Sequence, residues 1–378
     1  MPSTTIRTPL IDMAKGLACA AIVWHHLAFY GPMSDIAQPL APVLMAWLYD
    51  YGRMAVQVFL VLGGYLAASS LAPQGVARFD HAGNAIAKRF VRLVVPYAVA
   101  LLLSVVVSAL VRAWMEHPSV PEQPTLSQLL ANALLLQDIV GEGALSAGVW
   151  YVAIDFQLFA LSVLLLAGVK ALPGTWAQRH AGLLAQVLVV AGVAASLWGF
   201  NRMGHLDMWA LYFFGSYGLG MMACWAVRSP PLRQGHQALG WLAAIVLLGG
   251  MALAIDFRGR IVVSTVTALC LVLALRSERL RSWSGMAPLV QLGQMSYSVF
   301  LVHFAVCLLA NAVVSHLWPD SPVLNAWGML LAFALSLAAG RVLYLRVERH
   351  VPSWTTALRW QVGLVGTGML VAASSHWA

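Results

Sequence analysis

Along most of this chain polar residues punctuate rather than alternate. Apolar stretches near 10–31, 54–71, 90–113, 147–169, 182–198, 209–227, 238–255, 259–275, 289–315 and 325–347 follow one another across polar breaks. Each approximates the roughly 17–25 residues that a helix needs to cross the hydrocarbon core of a bilayer. Strict alternation, the mark of a membrane barrel, is missing. In lipid only a helix or a closed barrel satisfies its own backbone hydrogen bonds. The pattern therefore predicts an all-α fold, a polytopic transmembrane helix bundle of about ten core spans. A shorter apolar stretch at 361–375 is read as either an eleventh span or an interfacial helix.

Composition agrees. Of 378 residues, 61% are hydrophobic and 10% charged, against roughly 25% charged in a soluble domain. No repeat, low-complexity tract or linker divides the chain. The expectation is one integral-membrane domain over 1–378, with a core of about 10–352 and a tail or extra helix over 353–378. The net charge of +8 invites a nucleic-acid reading, but the basic residues sit at alternate breaks rather than in one patch. With the N-terminus placed in the cytoplasm, Arg7, Arg78, Lys88, Arg89, Arg92, Lys170, Arg179, Arg228, Arg233, Arg276, Arg279, Arg281, Arg346, Arg349 and Arg359 fall at or near inner ends. The outer breaks hold mostly acids, from Asp35 and Asp50 to Asp256 and Asp320. That asymmetry is the positive-inside pattern, and it argues against a nucleic-acid partner.

Residues 10–30 are apolar enough for a secretory signal, but no small-residue cleavage site follows. Cys19, Cys224, Cys270 and Cys307 lie inside the expected spans and form no CxxC pair. They read as small core residues, and no metal is expected. The outer segment 114–146 is the one long break. Pro118, Pro121 and Pro124 precede Thr125-Leu-Ser-Gln, a helix start, and the segment is read as either a functional lid or a solvated loop. Of the 15 tryptophans, Trp114, Trp150, Trp209, Trp283 and Trp318 stand near span ends as an interfacial belt.

Ionisable groups inside spans are costly and face the bundle interior, so they are the first functional candidates. In the first span Lys15 and His26 are eleven positions apart. At about 100° per residue they share a face, separated by a rise of about 16 Å. Asp12, three residues before Lys15, is close enough to pair with it, and His25 points away. Counting about 1.5 Å per residue places Asp155 and His303 in the outer third, at the level of His26. Ser296 lies seven positions before His303 on the same face. At the cytoplasmic start of the third span, Arg89 and Arg92 share a face at a helix N-terminus, a setting that favours phosphates. Glu348 has Arg346, Arg349 or the Arg89 and Arg92 cluster within reach. A phosphate-binding patch inside and an imidazole near the outside suit an activated group delivered from the cytoplasm. They equally suit a proton-coupled transporter or flippase of a lipid-linked sugar, and a scaffold subunit of a polysaccharide secretion machine is a third reading.

Several segments in order resemble the acyltransferase family 3 membrane proteins, bacterial enzymes that acylate cell-envelope and secreted carbohydrates. Ile11-Asp12-Met-Ala-Lys15-Gly16-Leu-Ala followed by His26 is similar to the family's opening motif. Val56-Gln-Val-Phe-Leu-Val-Leu-Gly-Gly64-Tyr65-Leu resembles its second-span signature, and Arg89-Phe-Val-Arg92 before Pro96 its Arg-x-x-Arg. Trp150-Tyr-Val-Ala-Ile-Asp155-Phe-Gln resembles the Trp-Phe-Leu-x-x-Glu block. Leu292-Gly-Gln-Met-Ser-Tyr-Ser-Val-Phe-Leu-Val-His303 and Glu348 with Pro352 complete a likeness running from about 10 to 352. The chain departs from the pattern at Lys15, where arginine is usual, at Asp155 for glutamate and at Gly63 for serine.

The resemblance implies an acyl-CoA-dependent O-acyltransferase in the bacterial inner membrane, with acyl-CoA, acetyl-CoA by preference, as co-substrate and no permanently bound cofactor. The implied acceptor is a carbohydrate or glycolipid, with membrane lipids around the bundle and polysaccharide-assembly proteins as candidate partners. It implies His26 as base or acyl carrier, with Asp155 and His303 orienting it or binding the sugar. Lys15, Arg89 and Arg92 become donor-binding residues, and Asp12 and Glu348 structural or donor-channel residues.

Overall fold

With no water to bond in a bilayer, each apolar run closes its own backbone hydrogen bonds and becomes helical. The computed structural model describes residues 8–230 and 236–374, and no strand occurs among them. Arg7 and Arg233 lie outside the described residues, as does the last residue of the stretch 361–375. In chain order the helices are α1 (Pro9–Phe29), α2 (Pro32–Ala37), α3 (Pro42–Tyr51), α4 (Val56–Leu71), α5 (Ala82–Arg112), α6 (Leu126–Ala133), α7 (Gln137–Val140), α8 (Trp150–Lys170) and α9 (Thr175–Arg179). There follow α10 (Ala181–Trp198), α11 (Ala210–Arg228), α12 (Gln237–Ile255), α13 (Gly259–Arg276), α14 (Glu278–Arg281), α15 (Ala287–Gln294), α16 (Ser296–Leu317), α17 (Pro322–Leu343) and α18 (Trp354–Ser374).

Nine helices among the described residues are long and apolar enough to cross a membrane. They are the run Pro42–Leu71 containing α3 and α4, then α5, α8, the run Ala181–Arg202 opened by α10, α11, α12, α13, α16, and the run Pro322–Glu348 opened by α17. The expected count of ten or eleven is therefore not met on length and apolarity alone. Of the described helices outside the nine, the long ones are α1 and α18, each 21 residues long. Asp12, Lys15, His25 and His26 make α1 more polar, and Arg359 and Gln361 do the same for α18.

Other boundaries also move. The third stretch begins at Ala82 rather than 90, so Lys88 and Arg89 are inside the helix instead of at its mouth. The stretch 289–315 is two helices, α15 and α16, broken at Met295 just after Gly293. Cys19, Cys224 and Cys307 are buried as expected, but Cys270 is exposed and is not a core residue.

Packing divides the chain into two compact units. The first comprises Met1–Lys15, Met54–Arg89 and Ile154–Val290. Here α4 lies along α11, with α10, α12 and α13 also against α11. A Cβ on Gly64 would overlap the Tyr217 carbonyl, and one on Gly220 would overlap the Val61 carbonyl. Between lipid-embedded helices the driving force is close packing and interhelical hydrogen bonding, and small residues permit both. Ser216 Oγ donates to Gln57 Oε1 at 2.6 Å across the same pair. Gln157 ties α8 to the start of α11, accepting from Ala210 N at 2.9 Å and donating to the Met208 carbonyl at 3.1 Å.

The second unit comprises Gly16–Arg53, Phe90–Ala153 and Gln291–Ala378. In it α16 lies along α17, and α2 packs on both. Buried Asn311 joins α16 to the turn after α1, accepting from Met33 N at 3.0 Å and donating to the Tyr30 carbonyl at 2.9 Å. Val107 and Val111 of α5 pack on Phe304 and Leu308 of α16. The segment 114–146 is folded rather than open. Thr125 caps α6 by accepting from Gln128 N at 3.1 Å. Buried Asn132 donates to the Gly143 carbonyl at 2.9 Å and accepts from Leu145 N at 3.2 Å. Behind α6 lies α18, with Gly368 against Leu129.

Candidate functional site

Most of α1 is apolar, so its interior imidazoles need partners, and each finds one within the second unit. His25 Nδ1 lies 2.9 Å from the Leu48 carbonyl, turned toward α3. His26 is 8% exposed and His303 is fully buried. His26 Nδ1 approaches His303 Nε2 to 2.5 Å, and His303 Nδ1 lies 2.6 Å from the Phe300 carbonyl. The two rings are nearly parallel, 6° apart, with centroids at 4.8 Å. With the nitrogens so much closer than the centroids, the rings meet edge to edge.

This geometry fixes the protons. A neutral imidazole carries one N–H and one lone pair. The Phe300 carbonyl can only accept, so His303 holds its proton on Nδ1 and offers the lone pair of Nε2. His26 must then donate from Nδ1, which leaves His26 Nε2 without a proton. The heavy atoms thus imply a directed chain from His26 Nδ1–H through His303 to a backbone carbonyl, and a bare nitrogen at its free end.

The surroundings of the His26 ring are aromatic and close-fitting. Gly148, just before α8, has φ +79°, and a Cβ there would lie 2.9 Å from the Phe300 ring and 3.4 Å from His26 Cε1. Only a glycine adopts this conformation readily and lets the backbone lie on the imidazole. Tyr30 stands 5.3 Å from the His26 ring, centroid to centroid, and meets Phe304 edge-on at 5.3 Å. Tyr151 meets Phe300 edge-on at 5.7 Å.

The first unit holds a charged counterpart. Arg89 Nη2 makes an ion pair with Asp155 Oδ2, the two side chains being 33% and 10% exposed. The same guanidinium lies 5.4 Å from the Phe159 ring centroid. Asp155 and Phe159 are four apart on α8 and present a carboxylate and a π-face to one cation. Gly63 borders this pair. A Cβ there would be 3.5 Å from Asp155 Oδ1 and 3.3 Å from the Tyr217 ring. Arg89, expected to bind phosphate, and Asp155, expected at the level of the imidazoles, are thus paired with each other.

The remaining candidates are placed as follows. Asp12 is 8% exposed and Lys15 half-buried, three residues apart on α1. Arg92 is exposed. Glu348 ends a π-helical turn, Tyr344–Glu348. It accepts from Ser298 Oγ at 2.5 Å and Ser298 N at 3.1 Å, a partner not foreseen from the spacing of the arginines around it. Ser296 donates to the Gly293 carbonyl at 2.9 Å and covers the break before α16. Sequence reading missed Ser298, Phe300, Gly148 and Phe159. A serine five residues before a buried histidine carries no signal of its own. Gly148 could have been suspected as a glycine just before a helix whose first turn is Trp150-Tyr151.

Residues 9–345 match the sequence model of a family described as an acyltransferase domain, Acyl_transf_3. The chain is similar to acyltransferase MdmB of Streptomyces mycarofaciens, at 25% identity over 394 aligned positions that cover 92% of each protein. No solved structure matches.

Proposed function

Since the chain belongs to this acyltransferase family of membrane proteins, we propose that it is an O-acyltransferase with His26 as the reacting base. In this reading an acyl group, acetyl in the first instance, passes from cytoplasmic acyl-CoA to a hydroxyl of a carbohydrate or glycolipid at the periplasmic side. The observation that carries it is the hydrogen-bond chain that leaves His26 Nε2 without a proton, on a ring flanked by aromatic side chains. That nitrogen takes the proton of the acceptor hydroxyl as its oxygen attacks the thioester carbonyl. The C–S bond breaks, the CoA thiolate leaves, and the imidazolium returns the proton to it. His303 spreads the developing charge and holds the tautomer. Asp155 holds the Arg89 guanidinium, and Arg89 and Arg92 receive donor phosphates in charge-assisted hydrogen bonds. Lys15 and Asp12 line the donor path, and Glu348 fixes α16 through Ser298. Polysaccharide-assembly proteins are the partners this role calls for.

The topology that serves this reaction has the N-terminus in the cytoplasm of a bacterial inner membrane, as the distribution of basic residues supports. We count α1 as a tenth span and α18 as an eleventh. Trp354 at the start of α18 stacks on Phe90 near one end of α5, with ring centroids at 6.1 Å. Gly368 meets Leu129 in the segment beyond the other end of α5, so α18 runs the length of a spanning helix.

The test is purified protein in nanodiscs with radiolabelled acetyl-CoA, comparing the natural chain with His26→Ala and Arg89→Ala. The reading requires slow thioester consumption by the natural chain, none by His26→Ala, and weaker donor binding by Arg89→Ala. Folded protein that ignores acetyl-, succinyl- and longer acyl-CoAs would return the weight to a sugar-lipid transporter.

A further inference from the structure

In the first unit α4 and α11 end, and α10 and α12 begin, at the end that also carries Arg78, Lys170 and Arg276. A cleft of about 700 Å³ opens there, within the range of roughly 300–1,000 Å³ typical of small-molecule sites. It is lined by Trp225 and Trp241, whose ring centroids are 5.4 Å apart and whose planes are tilted by 46°. Trp225 is held by its Nε1 donating to the Ala72 carbonyl at 2.9 Å. The rim carries the exposed guanidinium of Arg228, steadied by Ser69 Oγ at 2.9 Å, and the amides of Gln74, Gln186 and Gln237. Arg276 pins the backbone of the same rim, donating to the Ala226 carbonyl at 2.9 Å and the Ser229 carbonyl at 3.1 Å. No carboxylate occurs among the described residues that line it. Gln237 is also the first residue of α12, so the positive end of that helix dipole adds to the field.

Indole faces, side-chain amides and a guanidinium together suit one kind of ligand. Aromatic side chains stack on nucleobases whatever the base, amides meet a base edge, and arginine takes a phosphate with paired N–H donors. A phospholipid headgroup would use the arginine and leave the indoles and amides without a role. We propose that this cleft holds the nucleotide end of the acyl donor, an adenine nucleotide phosphorylated on its ribose. The base lies on Trp241, the amides read its edge and the ribose phosphate sits on Arg228. This rests on the acyl-CoA reading and adds where the donor's recognition handle binds. From Tyr217, which borders Asp155 across Gly63, to Arg228 is eleven residues of α11, about 16 Å. With its ribose phosphate on Arg228, an extended donor then runs along α11 with its pyrophosphate directed toward Arg89.

The experiment is titration calorimetry on the full chain in nanodiscs, with adenosine 3′,5′-bisphosphate and acetyl-CoA as probes, for the natural protein, Arg228→Gln and Trp241→Leu. Trp225 is left intact because its indole also bonds to the Ala72 carbonyl. Both probes should bind the natural chain. Arg228→Gln should weaken them about 10- to 100-fold, the loss of a charge-assisted hydrogen bond, and Trp241→Leu about tenfold, the loss of one stacked base. If Arg228→Gln does not fold, Gln237→Ala, an exposed change, serves with a smaller expected loss. Equal binding by the natural chain and the variants would overturn the proposal. So would absence of bisphosphate binding together with phosphatidylglycerol, seen by native mass spectrometry, that Arg228→Gln removes. Acetyl-CoA consumption with an unchanged KM in both variants overturns the cleft while acyl transfer stands. A natural chain that binds no acyl-CoA removes both.

Discussion

The two units solve the problem of polar groups in a membrane interior in different ways. The first pairs opposite charges, Arg89 with Asp155, and keeps the cation partly exposed at 33%. The second pairs two imidazoles, His26 and His303, at 8% and 0% exposure and ends their chain on a backbone carbonyl. Desolvating a charge is expensive, so an ion pair stays where some water reaches it or is matched closely. A neutral hydrogen-bond chain tolerates full burial. It also carries direction, because each acceptor dictates the proton on the next ring. The ion pair can hold position and attract phosphate, and the imidazole pair can present a base.

The largest effect expected from breaking this contrast is at His303. His303→Leu removes the acceptor for His26 Nδ1–H and frees the tautomer, so turnover should fall about 100- to 1,000-fold, within the usual range for general-base catalysis. His303→Gln offers a carbonyl oxygen to the same N–H and should retain most of that loss as activity. Single-turnover acyl transfer with unchanged donor binding checks both, and activity at the level of the natural chain in both variants would remove His303 from the chemistry. Next comes Asp155→Asn. It leaves the Arg89 guanidinium with a neutral partner and should lower stability by about 1–3 kcal/mol, read as a melting shift in detergent. Because Arg89 is one-third exposed, the cost should lie toward the lower end.

Glu348→Gln sharpens the contrast within the second unit. It weakens the charge-assisted acceptance from Ser298 by about 1 kcal/mol and should lower melting without altering the pH profile of transfer. Smallest is Gly63→Ser. Its hydroxyl would point among Asp155 and Tyr217, where a Cβ already makes ordinary to tight contacts, so stability should change by less than about 1 kcal/mol. Gly64→Ala, one residue on, is the control. Its Cβ has no room against the Tyr217 carbonyl, and loss of folded yield is the expected readout.

Hydropathy made the helices legible because lipid enforces long apolar runs, and rise per residue placed His26 near the level of His303 from counting alone. Azimuth was not legible. Counting residues cannot say which face of α8 meets which face of α5, so the Arg89–Asp155 pair was invisible, and so was Ser298 as the partner of Glu348. The tight space at Gly148, where a Cβ would lie 3.4 Å from His26 Cε1, was hidden for a related reason, since it joins segments 122 positions apart. The cleft at Trp225, Trp241 and Arg228 gathers residues from three helices and the loop after α4, none of which forms a motif by itself.

The protonation of His26 is the point on which the chemistry turns, and nitrogen NMR of ¹⁵N-histidine-labelled protein in lipid reads it directly, with His26→Gln and His303→Gln samples assigning the resonances. The hydrogen-bond chain predicts His26 protonated at Nδ1 with Nε2 bare, and His303 also protonated at Nδ1. A His26 signal showing the proton on Nε2 would leave no free lone pair for the acceptor hydroxyl and would contradict the assignment of His26 as the base.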